Sequence, residues 1–364
     1  MRTCLYLLIA CLSSVNLHAQ PRWAPTLHIG DPAPPLRLQE WLKGKPFQQP
    51  EKGRVYVLEF WATWCAPCRA VMPRLSELAR QYRDQVTFLG VNIFENRKPS
   101  TAKIKAFVDS MGNRMDYSVA IAEGYLMESG WYDASGRNGI PVTFVVNAEG
   151  RIAWIGYPTE LEQVLPAILN NTFDIAAESA KRKRNWYLDS LDSEYYYDLI
   201  PHRQKEQWDS VLLKIDAFVR IEPGLKFAPH MTWYTLAALF KTDMDKAYAY
   251  AREWVETPGN WEHDQQTVTD AIEYLSNEVT ITPQLYRLGA ELCQKQIDAE
   301  QFPELAPMHK RYSRMAEWYS RAHEKSKAIE AQEKAIAALR NSDKFSASQL
   351  TAFEAKLQQY RNLQ

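Results

Sequence analysis

The alternation of apolar and polar positions changes character near the middle of the chain. Up to about residue 170, short apolar runs of strand type alternate with stretches of helical spacing. Val55 to Phe60, Val86 to Ile93, Ser118 to Ile121 and Val142 to Val146 read as strands, and Asn147-Ala148-Glu149-Gly150 reads as a turn into a further strand, Arg151 to Ile155. Between the first two strands, Val71, Leu75, Leu78, Ala79 and Tyr82 recur at helical spacing, with Pro73 placed to kink that helix. Further helical stretches are expected at about Ala102 to Ser110, Tyr125 to Ala134 and Leu161 to Leu169. Strand-helix-strand units closed by a hairpin imply a layered sheet covered by helices.

Beyond about Asp174 the β-rich runs vanish, and helical periodicity built on Ala, Glu, Lys, Gln and aromatic residues takes over. The boundary falls between Leu169 and Glu178. Within the helical half, Tyr312, Met315, Ala316, Tyr319, Ala328 and Ala335 have a spacing that resembles a tetratricopeptide unit of two packed helices, and Asp245 to Trp254 resembles a weaker copy. Ordinary helical hairpins use alanine in the same way, so both readings stand. Before the first strand, residues 20–50 are rich in proline and include Ile29-Gly30-Asp31-Pro32-Ala33-Pro34, which suits an extended lead-in. The organisation expected is a targeting segment at 1–19, the lead-in at 20–50, an α/β unit at 51–172 and an all-helical unit at 178–364.

Composition agrees with two globular units: 364 residues exceed one ordinary core, and 46% hydrophobic with 24% charged residues is a folded balance. A net charge of -1 gives no electrostatic reason to expect nucleic acid or an anionic membrane surface as partner. The one basic run, Lys181-Arg182-Lys183-Arg184, reads as a solvated helix face. At the start, Arg2, the apolar Leu5 to Leu12 and Leu17-His18-Ala19 before Gln20 form an export signal with a cleavage site, which places the mature protein in the periplasm or otherwise outside the cytoplasm. An alternative uses Leu8-Ile9-Ala10-Cys11 as a lipid-attachment motif, leaving a lipid anchor on Cys11.

Cysteine usage then singles out the chemistry. Of five cysteines, Cys4 and Cys11 lie in the targeting segment, leaving Cys65, Cys68 and Cys293. An exported chain can use disulfides as staples, yet only one close pair exists, so that pair is reactive rather than structural. Cys65 and Cys68 sit at the start of a helix, with Pro67 in its first turn, where a missing N–H costs nothing. An exposed Cys65 sulfur there feels the helix dipole and free backbone N–H groups, which favour thiolate, and makes Cys65 the nucleophile. Cys68, one turn on and more buried, is then the resolving thiol that displaces the substrate from a mixed disulfide. Tetrahedral zinc would need two more ligands, and this domain offers only His28, so no metal is expected. No cofactor is called for beyond the Cys65–Cys68 couple. Cys293 reads as a buried small hydrophobe.

These residues resemble the thioredoxin superfamily and, within it, the extracytoplasmic TlpA/ResA-like branch. The resemblance spans about Ile29 to Leu169 and rests on Phe60-Trp61-Ala62-Thr63-Trp64-Cys65-Ala66-Pro67-Cys68, on Pro73, and on Gly139-Ile140-Pro141-Val142-Thr143. It implies an α/β thioredoxin-like domain, a mixed sheet flanked by helices, followed by the all-α domain. It also implies that Pro141 is a cis-proline set against the sulfurs and that the backbone at Ile140 pairs with a substrate chain as an added strand. Trp64, Ala66 and Pro67, which border Cys65, complete the expected substrate surface. Glu59, six residues before Cys65, takes the place of the family's buried acid, where a raised pKa would let it move the Cys68 proton. Glu95 resembles a second acidic position of the branch, although the loop Phe94 to Ser100 departs from the usual pattern.

The function expected is reduction or exchange of disulfides in exported proteins, with the Ala66-Pro67 dipeptide leaning toward reduction by the resemblance, and with a membrane protein as electron donor. Two alternatives remain open. The helical half could be a binding or chaperone-like protein, or a copper carrier, with the redox unit regulating it. Peroxide reduction is the other, although no Thr-x-x-Cys pattern with a partner arginine is present.

Overall fold

In a computed structural model, residues 24–95, 100–137, 139–258, 267–298, 307–342 and 346–363 are described. The export signal, the cleavage site and the Cys11 motif lie outside them. The mixed sheet and the helical remainder expected from the sequence are both present. Six strands, β1 (Leu38–Lys43), β2 (Val55–Trp61), β3 (Val86–Asn92), β4 (Ser118–Ala122), β5 (Val142–Val146) and β6 (Ile152–Gly156), form one sheet in the order β1-β4-β3-β2-β5-β6. The pairs β2–β3 and β3–β4 are parallel, whereas β2–β5, β5–β6 and β1–β4 are antiparallel.

Every residue of β2 is buried, which is what a central strand covered on both faces requires of Val-Tyr-Val-Leu-Glu-Phe-Trp. Its alternation sends Val55, Val57 and Trp61 to one face, under α1 (Ala66–Gln81), α2 (Thr101–Met111) and α3 (Leu161–Leu169). Tyr56, Leu58 and Phe60 go to the other, which is covered by Leu27, Ile29 and Leu36 of the lead-in and by Met127, Trp131 and Tyr132. The lead-in is therefore a lid on the second core and not a bare tether. It also contributes β1, an edge strand against β4 that the sequence did not announce. Leu38-Gln39-Glu40-Trp41-Leu42-Lys43 has no fully buried position and no clean alternation. The stretch expected to be helical at Tyr125 to Ala134 forms a π-turn over Glu128–Tyr132 and then a short 3-10 turn over Asp133–Ser135.

The helical half consists of α4 (Ile175–Gln204), α5 (Trp208–Ile221), α6 (Pro229–Thr242), α7 (Met244–Glu256), α8 (Thr267–Leu275), α9 (Pro283–Asp298), α10 (Met308–Arg321), α11 (Lys325–Arg340) and α12 (Ala347–Arg361) among the described residues. The spacing that resembles a tetratricopeptide unit falls on the packed pair α10 and α11, whose Ala316, Ala328 and Ala335 are fully buried. Gly289 on α9 shows how close the helices come. A Cβ there would lie 2.2 Å from the Trp318 ring of α10, so only glycine admits that indole. Cys293 is buried in the same core, where desolvation pushes its thiol up to about 11 and keeps it inert. No described helix is long and apolar enough to cross a membrane.

Candidate active site

Strand β2 ends at Trp61 and delivers the chain into α1 through Thr63 and Trp64, so that Cys65 becomes the N-cap of the helix. Its backbone is extended, and its Sγ accepts the Cys68 backbone N–H at 3.1 Å, the bond by which N-cap side chains satisfy a free first-turn donor. Pro67 occupies the first turn, and Pro73 lies inside the helix. Cys65 and Cys68 are joined as a disulfide. The Cys65 Sγ also lies 3.6 Å from the Ile140 carbonyl oxygen. The peptide bond between Ile140 and Pro141 is cis.

One expectation needs correction. The Cys65 sulfur was expected to be exposed, yet the residue is only 2% accessible in the disulfide state. The Ile140 carbonyl on one side and the helix start on the other enclose it. Trp64, at 52% exposure, is the open member of the motif. Its indole Nε1 donates to the Phe94 carbonyl at 2.8 Å, which turns the ring toward the loop after β3. Ala66, Pro67 and Ile140 are half-buried around the sulfur, and Pro141 is buried.

Glu59 and Glu95, paired in the sequence as acidic candidates, occupy different environments. Glu59 is 2% exposed on the α1-facing side of β2, and neither carboxylate oxygen has a hydrogen-bond partner. Desolvation alone holds its carboxyl well above the usual range. Opposite it in the sheet are Gly90 and Thr143. The space left by Gly90 is filled by Tyr117 and the Trp61 indole nitrogen, which would stand 3.0 and 3.1 Å from a Cβ at that position. Tyr117 Oη, Trp61 Nε1 and Thr143 Oγ1 are themselves buried without partners. Burial, and then the charge of Glu59, push the Tyr117 hydroxyl up; the same two causes bring Tyr157 to about 12. An unpaired buried polar group costs about 1–3 kcal/mol. Fully buried Leu58 and Phe60 beside it contribute roughly 1.5–3 kcal/mol each, so the strand sustains the loss.

Glu95 is instead fully engaged. It accepts the Thr63 N–H at 2.6 Å, the Thr63 hydroxyl at 2.8 Å and the Asn92 side-chain amide at 2.8 Å. It clamps Thr63, two residues before Cys65, and makes no described contact with either sulfur, which makes it a positioning residue. The sequence also missed its neighbours. Phe94 adopts a left-handed backbone, φ 56°, with its N–H donating to Glu128 at 3.1 Å and its carbonyl taken by Trp64. Glu128 lies 34 residues away from Phe94 in sequence, and burial raises its carboxyl. A polar residue four places C-terminal to Gly124 carries no sequence mark of this contact; only the return of the chain over the second core creates it.

Comparison with known proteins gives the following. The Redoxin family model matches residues 28–169, ending at the last residue of α3. Protein FixW of Rhizobium leguminosarum is 26% identical over 211 residues, which cover 56% of this chain and 96% of that protein. The thiol:disulfide interchange protein HelX of Rhodobacter capsulatus is 34% identical over 135 residues, 36% of this chain and 69% of that protein. The thiol-disulfide oxidoreductase ResA of Bacillus thuringiensis is 31% identical over 128 residues, 35% of this chain and 68% of that protein.

Proposed function

We propose that this chain, which belongs to the TlpA/ResA-like thiol-disulfide oxidoreductases of the thioredoxin superfamily, reduces or exchanges disulfides in exported proteins through Cys65 and Cys68. The observation that carries this is the seat of Cys65. As N-cap of a 16-residue helix, its sulfur receives the Cys68 N–H and sits beside the backbone of a cis-proline segment. In the reduced protein the same N–H and the helix dipole stabilise Cys65 as thiolate.

The exchange balances in two steps. The Cys65 thiolate attacks one sulfur of a substrate disulfide; that bond breaks, a Cys65–substrate disulfide forms, and the released substrate thiolate takes a proton from solvent. Cys68 then loses its proton and attacks Cys65 Sγ; the mixed disulfide breaks, the second substrate sulfur leaves as a thiolate that takes a proton from solvent, and two electrons have passed from protein to substrate. Glu59 serves the second step. Burial holds the Glu59 carboxyl above its usual range, so in its ionised form it is a stronger base than a surface carboxylate and takes the Cys68 proton. The substrate chain lies along the Ile140 backbone as an added strand, with Trp64, Ala66 and Pro67 around the sulfur. A dithiol donor, a membrane protein in our reading, returns the electrons, and the whole cycle runs outside the cytoplasm.

The reading is tested on the purified protein by equilibration with glutathione and by turnover of a peptide disulfide. A reductant is expected to poise at or below about −220 mV, whereas a value above about −150 mV would mark an oxidant and overturn the direction proposed. Cys65→Ser should lower peptide-disulfide turnover by about a thousandfold or more, and Cys68→Ser should accumulate the mixed disulfide, visible by mass spectrometry. Wild-type turnover by the Cys65→Ser protein would end the proposal.

A further inference from the structure

The basic run on α4, expected to be a solvated face, is divided by the fold. Lys181, Lys183 and Arg184 are exposed, and Arg184 forms a bidentate pair with Glu222. Arg182 is half-buried and turns the other way, into the redox unit. With Ile175 and Ser179 it forms a stripe at helical spacing along one side of α4. Ile175 packs against both cores of the sheet, and the Ser179 hydroxyl donates to the Ile29 carbonyl at 3.0 Å. Arg182 donates from Nη2 to the Ser135 carbonyl at 2.7 Å and from Nη1 to the Ile155 carbonyl at 3.4 Å.

The same Ile155 oxygen accepts Arg137 Nη2 at 3.2 Å, so two guanidinium groups converge on one carbonyl. Arg137 Nε is buried without a partner. Around them, Glu160 and Asp189 act electrostatically on Arg137, and Glu178 on Arg182. Burial first, and then Arg137, push Arg182 down to about 10. Two like charges taken partly out of water cost stability unless their geometry secures something else.

What they secure is the segment beside Cys65. Ser135 lies five residues before Ile140, Arg137 lies between them, and Ile155 pairs with Phe144 just after Pro141. Arg182 therefore grips the chain at Ser135, upstream of Ile140, and β6, the strand that pairs with β5 beyond Pro141. We infer that Arg182 is a positioning residue through which the helical half holds the Ile140–Pro141 segment in register for a polypeptide substrate. This rests on the exchange function proposed above. A small thiol needs only the sulfur, whereas a peptide needs the Ile140 backbone as well, so loss of Arg182 separates the two reactions.

The test uses the full chain with Arg182→Met, the surface control Arg184→Ala and the conservative Arg182→Lys. For a peptide disulfide, Arg182→Met should raise KM by about tenfold and leave kcat within about twofold, and the rate of disulfide reduction by dithiothreitol should also stay within about twofold. Arg182→Lys should recover part of the loss, and Arg184→Ala should match wild type. Amide hydrogen exchange over residues 133–146 should quicken in Arg182→Met and stay unchanged in Arg184→Ala. A wild-type KM with wild-type exchange in Arg182→Met overturns the inference, as does an equal loss toward peptide and dithiothreitol. If the wild-type protein itself does not turn over the peptide, the exchange function falls, and hydrogen exchange alone decides whether Arg182 holds the segment. Should Arg182→Met not fold, Arg182→Gln replaces it under the same criteria.

Discussion

Two buried carboxyl groups, one in each half of the molecule, sit at the same 2% exposure and have opposite surroundings. Asp192 on α4 accepts three N–H donors: His230 N at 3.0 Å, Met231 N at 3.2 Å and His230 Nδ1 at 2.8 Å. Glu59 on β2 accepts none. The backbone explains the difference. Asp192 faces the start of α6, where first-turn N–H groups have no partner within the helix and seek one outside it. Glu59 stands in a central strand whose neighbours on both sides already use their N–H groups in the ladder. Equal burial thus makes one acid a structural cap and the other a group whose proton is free to move.

That contrast can be broken by substitution. The largest effect is expected at Asp192→Ala, which strands three donors at a helix start and should lower stability by about 3 kcal/mol in urea unfolding, with the dithiol potential unchanged. Glu59→Leu should act in the opposite sense, raising stability at pH 7 by about 1–2 kcal/mol while slowing the Cys68 step. The sign follows from the raised carboxyl of Glu59. The native state binds a proton that the unfolded chain, with a pKa of about 4.3, releases, so stability falls as pH rises from there toward the native value. The pH-dependent part of the Glu59→Leu gain should accordingly disappear below about pH 4, as pH-dependent unfolding curves will show. Loss of stability in Glu59→Leu at pH 7 would mean that the carboxyl has partners after all, and the contrast would collapse.

The smallest effect is expected at Glu95. Glu95→Gln leaves one acceptor and introduces a donor facing the Thr63 N–H and hydroxyl, and should cost about 0.5–1 kcal/mol. Its more telling readout is the alkylation rate of Cys65 in the reduced protein, which should change because the turn carrying Thr63 and Trp64 is no longer clamped. An unchanged rate would reduce Glu95 to a surface acid.

Much of the redox half was written in local sequence. The buried run from Val55 to Trp61, the Cys-Ala-Pro-Cys helix start and the Gly-Ile-Pro strand entry are each set by residues within a few positions of one another, and alternation along β2 assigned Glu59 its face. Periodicity likewise announced the helices after Asp174 and the paired α10 and α11. What escaped was made by chain segments meeting from far apart. β1 is a strand because β4 offers it an edge, not because its own residues alternate. Glu128 holds Phe94 and Arg182 holds Ser135 across 34 and 47 residues.

The sequence by itself determined the reactive pair, the strand-helix framework beneath it and the change to helices beyond, since each depends on the short-range spacing of side chains along a regular backbone. Tertiary structure alone decided which charges are satisfied. Whether a carboxyl or guanidinium meets a donor, a carbonyl or nothing depends on which backbone ends fold up against it, and periodicity carries no record of that.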